Sequence, residues 1–334
     1  MKAVILAGGE GTRLRPITEG VPKPLVRVAG RPVVEYTIEG LVEAGIRDIF
    51  LTTFYKPDHL IGALSGGSRL GGRLFYSVED EALGTAGSVR KLATLIKNDV
   101  FVVASGDVLA DVDFRALLEF HKGTGAEATM ALTRVENPTE FGIVGLDEQG
   151  RITRFLEKPK PEQVFSNLVN AGIYVLNGSL LNLIPEGEKY DFSRQLFPRM
   201  LEEGRGLYGC PLDGLWMDVG RPADLLAATQ AVAERRFGGS YREGARTLPG
   251  ARTERTALYP GAEVGKEAVV EDAILYENAR VGEGAVVRRS ILCPGAVVEP
   301  FAHLEDCVLG PRATVRAKVR AAGVRLSPGE TLTG

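Results

Sequence analysis

The chain has 334 residues, 44% of them apolar and 25% charged, with a net charge of -3. That length allows two domains and a large core, the composition is that of an ordinary globular protein, and the mildly acidic balance excludes broad, nonspecific nucleic-acid binding. Three cysteines without a C-x-x-C pair, Cys210, Cys293 and Cys307, argue for a reducing compartment and against a disulfide framework or thiolate metal site; with neither a signal peptide nor a membrane-length apolar run, a cytoplasmic chain that does not meet a membrane is expected.

Short apolar strands and amphipathic helices alternate over residues 1–235, with strands expected at 2–6, 48–54, 73–78, 100–104, 126–135, 152–156 and 172–176. This alternation predicts an α/β domain with an open, mostly parallel, Rossmann-like sheet. Ligands bind such sheets beyond the carboxyl ends of the strands. The first strand runs into Leu6-Ala7-Gly8-Gly9-Glu10-Gly11-Thr12-Arg13-Leu14-Arg15-Pro16, with Lys23-Pro24 a short way on. Gly8, Gly9 and Gly11 let several backbone N-H groups face one anion, and Arg13, Arg15 and Lys23 outnumber Glu10 and Glu19. The third glycine of a dinucleotide loop is missing, and no Walker string occurs. Phosphate binding is the expectation, because an ordinary glycine turn has no use for both Arg13 and Lys23.

Pro32 is expected to open a helix whose Val34, Ile38, Leu41 and Val42 share one face, with Gly45 ending it. After strand 100–104 comes Ser105-Gly106-Asp107, and Asp218 sits in Trp216-Met217-Asp218-Val219-Gly220. Mg²⁺ takes one or two carboxylates and fills its shell with water and phosphate, so both aspartates are candidates. Alone, an aspartate in such a turn is usually conformational, and it is the pair in one phosphate-binding fold that supports the metal reading. Glu157-Lys158-Pro159, Asn170-Ala171-Gly172 and Phe141-Gly142-Ile143 suit a phosphorylated sugar, and equally a surface ion pair and two turns.

Residues 236–258 read as a linker, rich in Gly, Arg, Glu, Ser and Thr. Over 259–320 Val264, Val281, Val298 and Val315 recur every 17 residues, as do Val270, Val287 and Leu304, and Leu275, Leu292 and Leu309. Ala262, Ala279, Ala296 and Ala313 repeat in step, as do Ala268, Ala285 and Ala302. Three short strands per turn, each with an inward aliphatic, predict a left-handed parallel β-helix of hexapeptide type, of about three turns, followed by a tail over 321–334. Stacking at ~4.8 Å would set Glu271, Arg288 and Glu305 in one charge ladder and Asp272, Arg289 and Asp306 in another.

Taken in order, Gly8-Gly9-x-Gly11-Thr12-Arg13-Leu14-x-Pro16, Lys23-Pro24, Leu83-Gly84-Thr85-Ala86-Gly87, Gly106-Asp107, Glu157-Lys158-Pro159, Asn170-x-Gly172 and Trp216-Met217-Asp218-Val219-Gly220-x-Pro222-x-Asp224 resemble the sugar-1-phosphate nucleotidylyltransferases. The pattern looks most like the mannose-1-phosphate guanylyltransferase branch. The resemblance implies that Leu6, Ala7, Gly8, Gly9, Gly11, Thr12 and Arg13 hold the nucleotide, GTP in that branch, with Arg13 on the triphosphate and Lys23 near the α-phosphate. It implies Gly84 and Thr85 beside base and ribose, Asp107 and Asp218 as Mg²⁺ ligands, Lys158 on the sugar 1-phosphate, and Gly142, Glu157 and Asn170 at the sugar ring.

The implied reaction needs no general base, since a sugar phosphate with a second pKa near ~6 is already mostly dianionic. A catalytic triad has no support from His59, His121 and His303, which are scattered. Three alternatives stay open: a thymidylyl- or uridylyltransferase acting on glucose 1-phosphate, a noncatalytic subunit of the same fold, and a solenoid that also acetylates sugars through His303. Uncapped strand edges at the solenoid's end lead to the expectation of a homo-oligomer.

Overall fold

A computed structural model describes residues 1–97 and 99–334. The chain forms two units, one of Met1–Gly9 with Val34–Trp216 and the other of Glu10–Val33 with Met217–Gly334.

In the first unit the Lys2–Leu6 strand lies parallel between Asp48–Thr53 and Val100–Ser105, and Arg73–Val78 continues the parallel run. Ala3, Val4 and Ile5 are fully buried, as expected for a strand covered on both faces. Past Val100–Ser105 the sheet becomes mixed. Leu168–Asn177 runs antiparallel to Val100–Ser105 and to Ala128–Arg134, Leu207–Pro211 pairs parallel with Ala128–Arg134, and Gly142–Leu146 with Ile152–Glu157 forms an antiparallel margin. All seven expected strands are present. The last begins earlier than expected, at Leu168, and runs through a register shift between Asn170 and Tyr174, where Gly172 adopts φ +70°. The first helix is Val33–Glu43, and Pro32 ends the short strand Arg31–Pro32 in place of opening the helix. Tyr174, Phe192 and Phe197 form an aromatic cluster within the core.

In the second unit Glu10–Val33 folds as three tight turns, Thr12–Leu14, Ile17–Glu19 and Lys23–Leu25, and then a hairpin of Arg27–Val28 with Arg31–Pro32. Helix Pro222–Phe237 has proline in its first turn and Gly238 in the left-handed conformation just past its end. The solenoid follows. Its three faces are parallel sheets of six, six and five strands, with registers such as Val264↔Val281 and Val281↔Val298 that advance by the 17-residue period. Its axis is filled by Val264, Val281, Val298, Leu275, Leu292 and the alanine columns. This arrangement is consistent with a left-handed parallel β-helix.

The solenoid is longer at both ends than 259–320. Strands Tyr241–Arg242, Arg246–Thr247, Arg252–Glu254 and Ala257–Leu258 lie inside the segment expected as a linker, and Arg325–Leu326 and Thr331–Leu332 inside the expected tail. The charge ladders also differ in detail. Arg288 pairs with Glu271 at 2.8 Å, but Glu305 is drawn to Arg289, which bonds Asp306 at 2.8 Å, while Asp272 pairs with Arg255 at 2.6 Å. Among the described residues, no helix is long and apolar enough to cross a membrane.

Candidate functional site

At the carboxyl edge of the parallel strands, Leu6 lies beside Ser105 in register, and the Gly106 N-H donates to the Leu6 carbonyl at 2.9 Å. A Cβ on Gly106 would stand 2.8 Å from Ile5 and 3.1 Å from the Leu6 oxygen. Glycine therefore lets the turn carrying Asp107 close over the end of the first strand. Ala7 is pinned by its N-H to the Thr52 carbonyl at 2.8 Å, while Gly8 packs beside Phe54 and Gly9 is exposed.

Leu83-Gly84-Thr85-Ala86-Gly87 opens the helix Gly84–Arg90. Gly84 has φ +73°, and a Cβ on Gly84 or Gly87 would meet the Tyr190 or Glu188 carbonyl at 2.8 and 2.7 Å. Both glycines thus serve packing against the 188–191 segment. The Thr85 N-H and hydroxyl donate to Asp191 Oδ1 at 3.0 and 3.1 Å, and the Phe192 N-H donates back to the Thr85 hydroxyl at 3.0 Å. Two polar groups not singled out in the sequence stand at the ends of neighbouring strands. Glu79 is only 7% exposed and Thr53 only 1%, yet Glu79 Oε1 and Thr53 Oγ1 have no hydrogen-bond partner. The Glu79 N-H donates to the Thr53 carbonyl at 2.9 Å, so the two residues are adjacent. An unpaired buried carboxylate oxygen costs stability, so its place here calls for an explanation.

The four sugar-phosphate candidates of this unit are differently placed. A Cβ on Gly142 would fall 2.7 Å from Glu157 Oε2, so glycine gives the Glu157 carboxylate room against the backbone. Burial pushes the Glu157 carboxyl above the usual carboxylate range, opposed by Lys158 and Arg194 and reinforced by Asp191. Lys158 is exposed, has φ +48° and donates its N-H to the Phe141 carbonyl at 2.9 Å. The Asn170 amide is already engaged: Nδ2 donates to the Tyr174 hydroxyl at 2.9 Å and to Ser193 at 3.2 Å, and Oδ1 accepts the Gly172 N-H at 2.9 Å. Asp191 connects these features, since it binds Thr85 and its charge also acts on Glu157 and Tyr174.

In the second unit, Gly11 takes φ +66° and the Thr18 hydroxyl donates to its carbonyl at 2.8 Å, closing the loop that bears Thr12 and Arg13. Lys23 is only 6% exposed, and its Nζ lies 3.3 Å from Asp218 Oδ1. Arg13 Nη2 lies 3.9 Å from Asp218 Oδ2. One carboxylate therefore holds two of the predicted phosphate-binding cations. Gly220 packs beside them, and a Cβ there would stand 2.8 Å from Asp218 Oδ2 and 3.1 Å from Arg13 Nη2, displacing the ends of those side chains. Burial raises the Asp224 carboxyl, the Arg221 N-H lowers it, and the nearby Asp218 raises it further.

Asp107 and Asp218 supply hard oxygen donors, the chemistry Mg²⁺ prefers. Among the described residues, no group of three or more His, Cys, Asp or Glu is set to hold a metal. That is compatible with Mg²⁺, which draws most of its shell from water and phosphate.

Residues 2–235 match the profile of the nucleotidyl transferase family. The mannose-1-phosphate guanyltransferase 2 of Candida glabrata is 41% identical over 234 residues, covering 69% of this chain and 64% of that protein. The mannose-1-phosphate guanylyltransferase of Mycobacterium tuberculosis is 35% identical over 285 residues, covering 82% of this chain and 79% of that protein. The chain thus spans just under two thirds of the fungal relative's length. Among solved structures, a Bacillus anthracis protein assigned as a glucose-1-phosphate thymidylyltransferase, in complex with sucrose, superposes with a TM-score of 0.64 at 28% identity, covering 71% of this chain and 97% of that one.

Proposed function

The chain belongs to the nucleotidyl transferase family, and on that premise we propose that it transfers GMP from GTP to mannose 1-phosphate, giving GDP-mannose and pyrophosphate. A phosphate oxygen of the sugar phosphate attacks the α-phosphorus as the bond to the β-phosphate breaks. The nucleophile is already ionised, so the chain's task is to bring two anions together. The observation that carries this reading is the Lys23–Asp218–Arg13 group, a buried ammonium and a guanidinium held on one carboxylate.

Arg13 and Lys23 bind the triphosphate and offset charge that grows on the leaving pyrophosphate, as preorganised cations do in phosphoryl transfer. The backbone N-H groups of Gly8, Gly9 and Gly11 add donors to the phosphates. Lys158 binds the sugar 1-phosphate, Glu157 orients the sugar ring beside Gly142, and Asn170, with both amide hydrogens committed to Tyr174 and Ser193, has only the remaining lone pair of its Oδ1 to offer the ring. Asp107 and Asp218 are the proposed Mg²⁺ ligands, and the ion, when bound, adds Lewis-acid stabilisation of phosphate charge.

The unpartnered Oε1 of the buried Glu79 supports guanine as the base. A carboxylate only accepts hydrogen bonds, and guanine offers the two adjacent donors N1-H and N2-H₂. The one-sided strand edges at the solenoid's ends support association of copies of the chain, which light scattering at micromolar concentration checks against a monomer.

Pyrophosphate release over four nucleoside triphosphates and several sugar 1-phosphates is the test. GTP with mannose 1-phosphate should turn over fastest, and Glu79→Gln should lower kcat/KM for GTP on the order of 100-fold while sparing other nucleotides, the penalty expected when a buried polar match is lost. Faster turnover with dTTP or UTP and glucose 1-phosphate would replace the guanylyl reading with the thymidylyl or uridylyl one. No release with any pair would leave a noncatalytic subunit.

A further inference from the structure

Within the second unit, a column of tyrosines ties the segment that bears Arg13 and Lys23 to the solenoid. Tyr241, Tyr259 and Tyr276 stand on successive coils, with ring centroids 5.3 and 4.8 Å apart. The Tyr276 hydroxyl donates to the Arg27 carbonyl at 3.0 Å, and the Tyr259 hydroxyl accepts the Gly30 N-H at 3.0 Å. The Arg27 guanidinium lies 4.8 Å from the Tyr259 ring centroid and 5.7 Å from that of Tyr276, and it pairs with Glu277. Gly30 has φ +91°, and a Cβ on it would collide with the Tyr241 ring. On the other arm of the segment, Arg325 of the last coil reaches the Arg13 carbonyl at 3.5 Å.

These contacts are directional and fall on main-chain atoms. Apolar burial would hold the hairpin without fixing its register, because it is non-directional. Two hydrogen bonds and a stacked cation on one short hairpin fix both its height and its rotation. The constraint reaches Lys23 through one tight turn, in which the Val26 N-H donates to the Lys23 carbonyl at 3.0 Å. Catalysis by charge placement is sensitive to such constraints, since a ~1 Å misplacement from a distant change can cost on the order of 100-fold in rate.

We propose that Tyr259, Tyr276 and Arg27 are positioning residues, through which the solenoid sets the placement of Lys23 and Arg13. The inference rests on the phosphate-binding role proposed above for those two cations.

The test uses full-length Tyr259→Phe/Tyr276→Phe and, separately, Arg27→Lys, which keeps the charge and loses the planar stack. Amide exchange over residues 22–32 should accelerate roughly tenfold or more in both, while the middle coils keep wild-type protection, as expected for a local opening. In pyrophosphate release, kcat should fall about tenfold with KM for the sugar phosphate unchanged. Arg316→Ala, which removes a partner of Glu299 elsewhere on the solenoid, should leave both readouts at wild-type values. Wild-type exchange over 22–32, or wild-type kcat beside a lowered melting temperature, overturns the proposal and leaves the tyrosines as structural contacts. If the wild-type protein releases no pyrophosphate with any pair, the proposed reaction fails and exchange alone decides the positioning role. If the double variant does not fold, Arg27→Lys decides it.

Discussion

A lysine as buried as Lys23 is tolerated because Asp218 stands against its ammonium, for a buried charge without a partner is strongly destabilising. Lys23→Ala and Asp107→Ala should each lower turnover about 100-fold or more, the usual consequence of removing one preorganised electrostatic contact. Steady-state rates on folded variants check this, and near wild-type turnover would remove that residue from the mechanism. Glu157 has the opposite economy. Its carboxyl is raised by burial, so the folded chain holds that proton more tightly than the unfolded one, and stability falls as pH rises from the ordinary carboxylate range through the raised value. Glu157→Gln should therefore melt higher than wild type at about pH 7.5 but not at about pH 3.5; equal differences at both would mean that the buried charge is harmless. Arg13 and Lys23 could be picked out from the sequence as phosphate-binding candidates, because an ordinary glycine turn has no use for both, whereas Asp218 alone reads as a turn residue and only its contacts with those two cations set it apart. Glu79 could not, since Glu79-Asp80-Glu81 reads as a solvated acidic turn and only burial separates its first member from the other two.

Seven strands of the first unit were legible as apolar runs, though not Val108–Val112 or Leu207–Pro211, and the solenoid was legible as a 17-residue period in its aliphatic columns. The ends of that period were not legible. In the first coil the positions in register with Val264 and Val270 hold Thr247 and Thr253, and in the last coil the position in register with Leu304 holds Ala321. Terminal coils have one neighbour and need less apolar surface, so their pattern fades where the structure continues. A ranking of contributions follows from the same geometry. Leu292 is fully buried in the stack, so Leu292→Ala should cost ~2–5 kcal/mol. Arg288 and Glu271 have side chains 48% and 32% exposed, so Arg288→Ala should cost no more than ~1 kcal/mol. Urea unfolding of both variants measures the contrast, and equal losses would make the ion ladders the main source of solenoid stability.

As a whole, the chain is not divided where its sequence suggests. A cut near residue 235 assigns every phosphate-binding candidate to one sequential domain, yet Glu10–Val33 belongs with Met217–Gly334. The hairpin's partners Tyr259 and Tyr276, and Glu277 beside them, lie in coils that a chain ending at residue 237 would lack. Such a truncated chain should lose at least about tenfold in turnover, measured by pyrophosphate release, whereas a self-sufficient domain would keep the full-length rate. The same long-range pairing bears on how the protein is made. Arg27 leaves the ribosome 249 residues ahead of Tyr276, and Arg13 leaves 312 ahead of Arg325. At ~5–20 residues per second the glycine-rich segment waits on the order of ten seconds or more for its support. A nascent or prematurely terminated polypeptide would thus carry the glycine-rich segment without the coils proposed to steady it, and full turnover would begin only after Tyr276 and Arg325 have emerged.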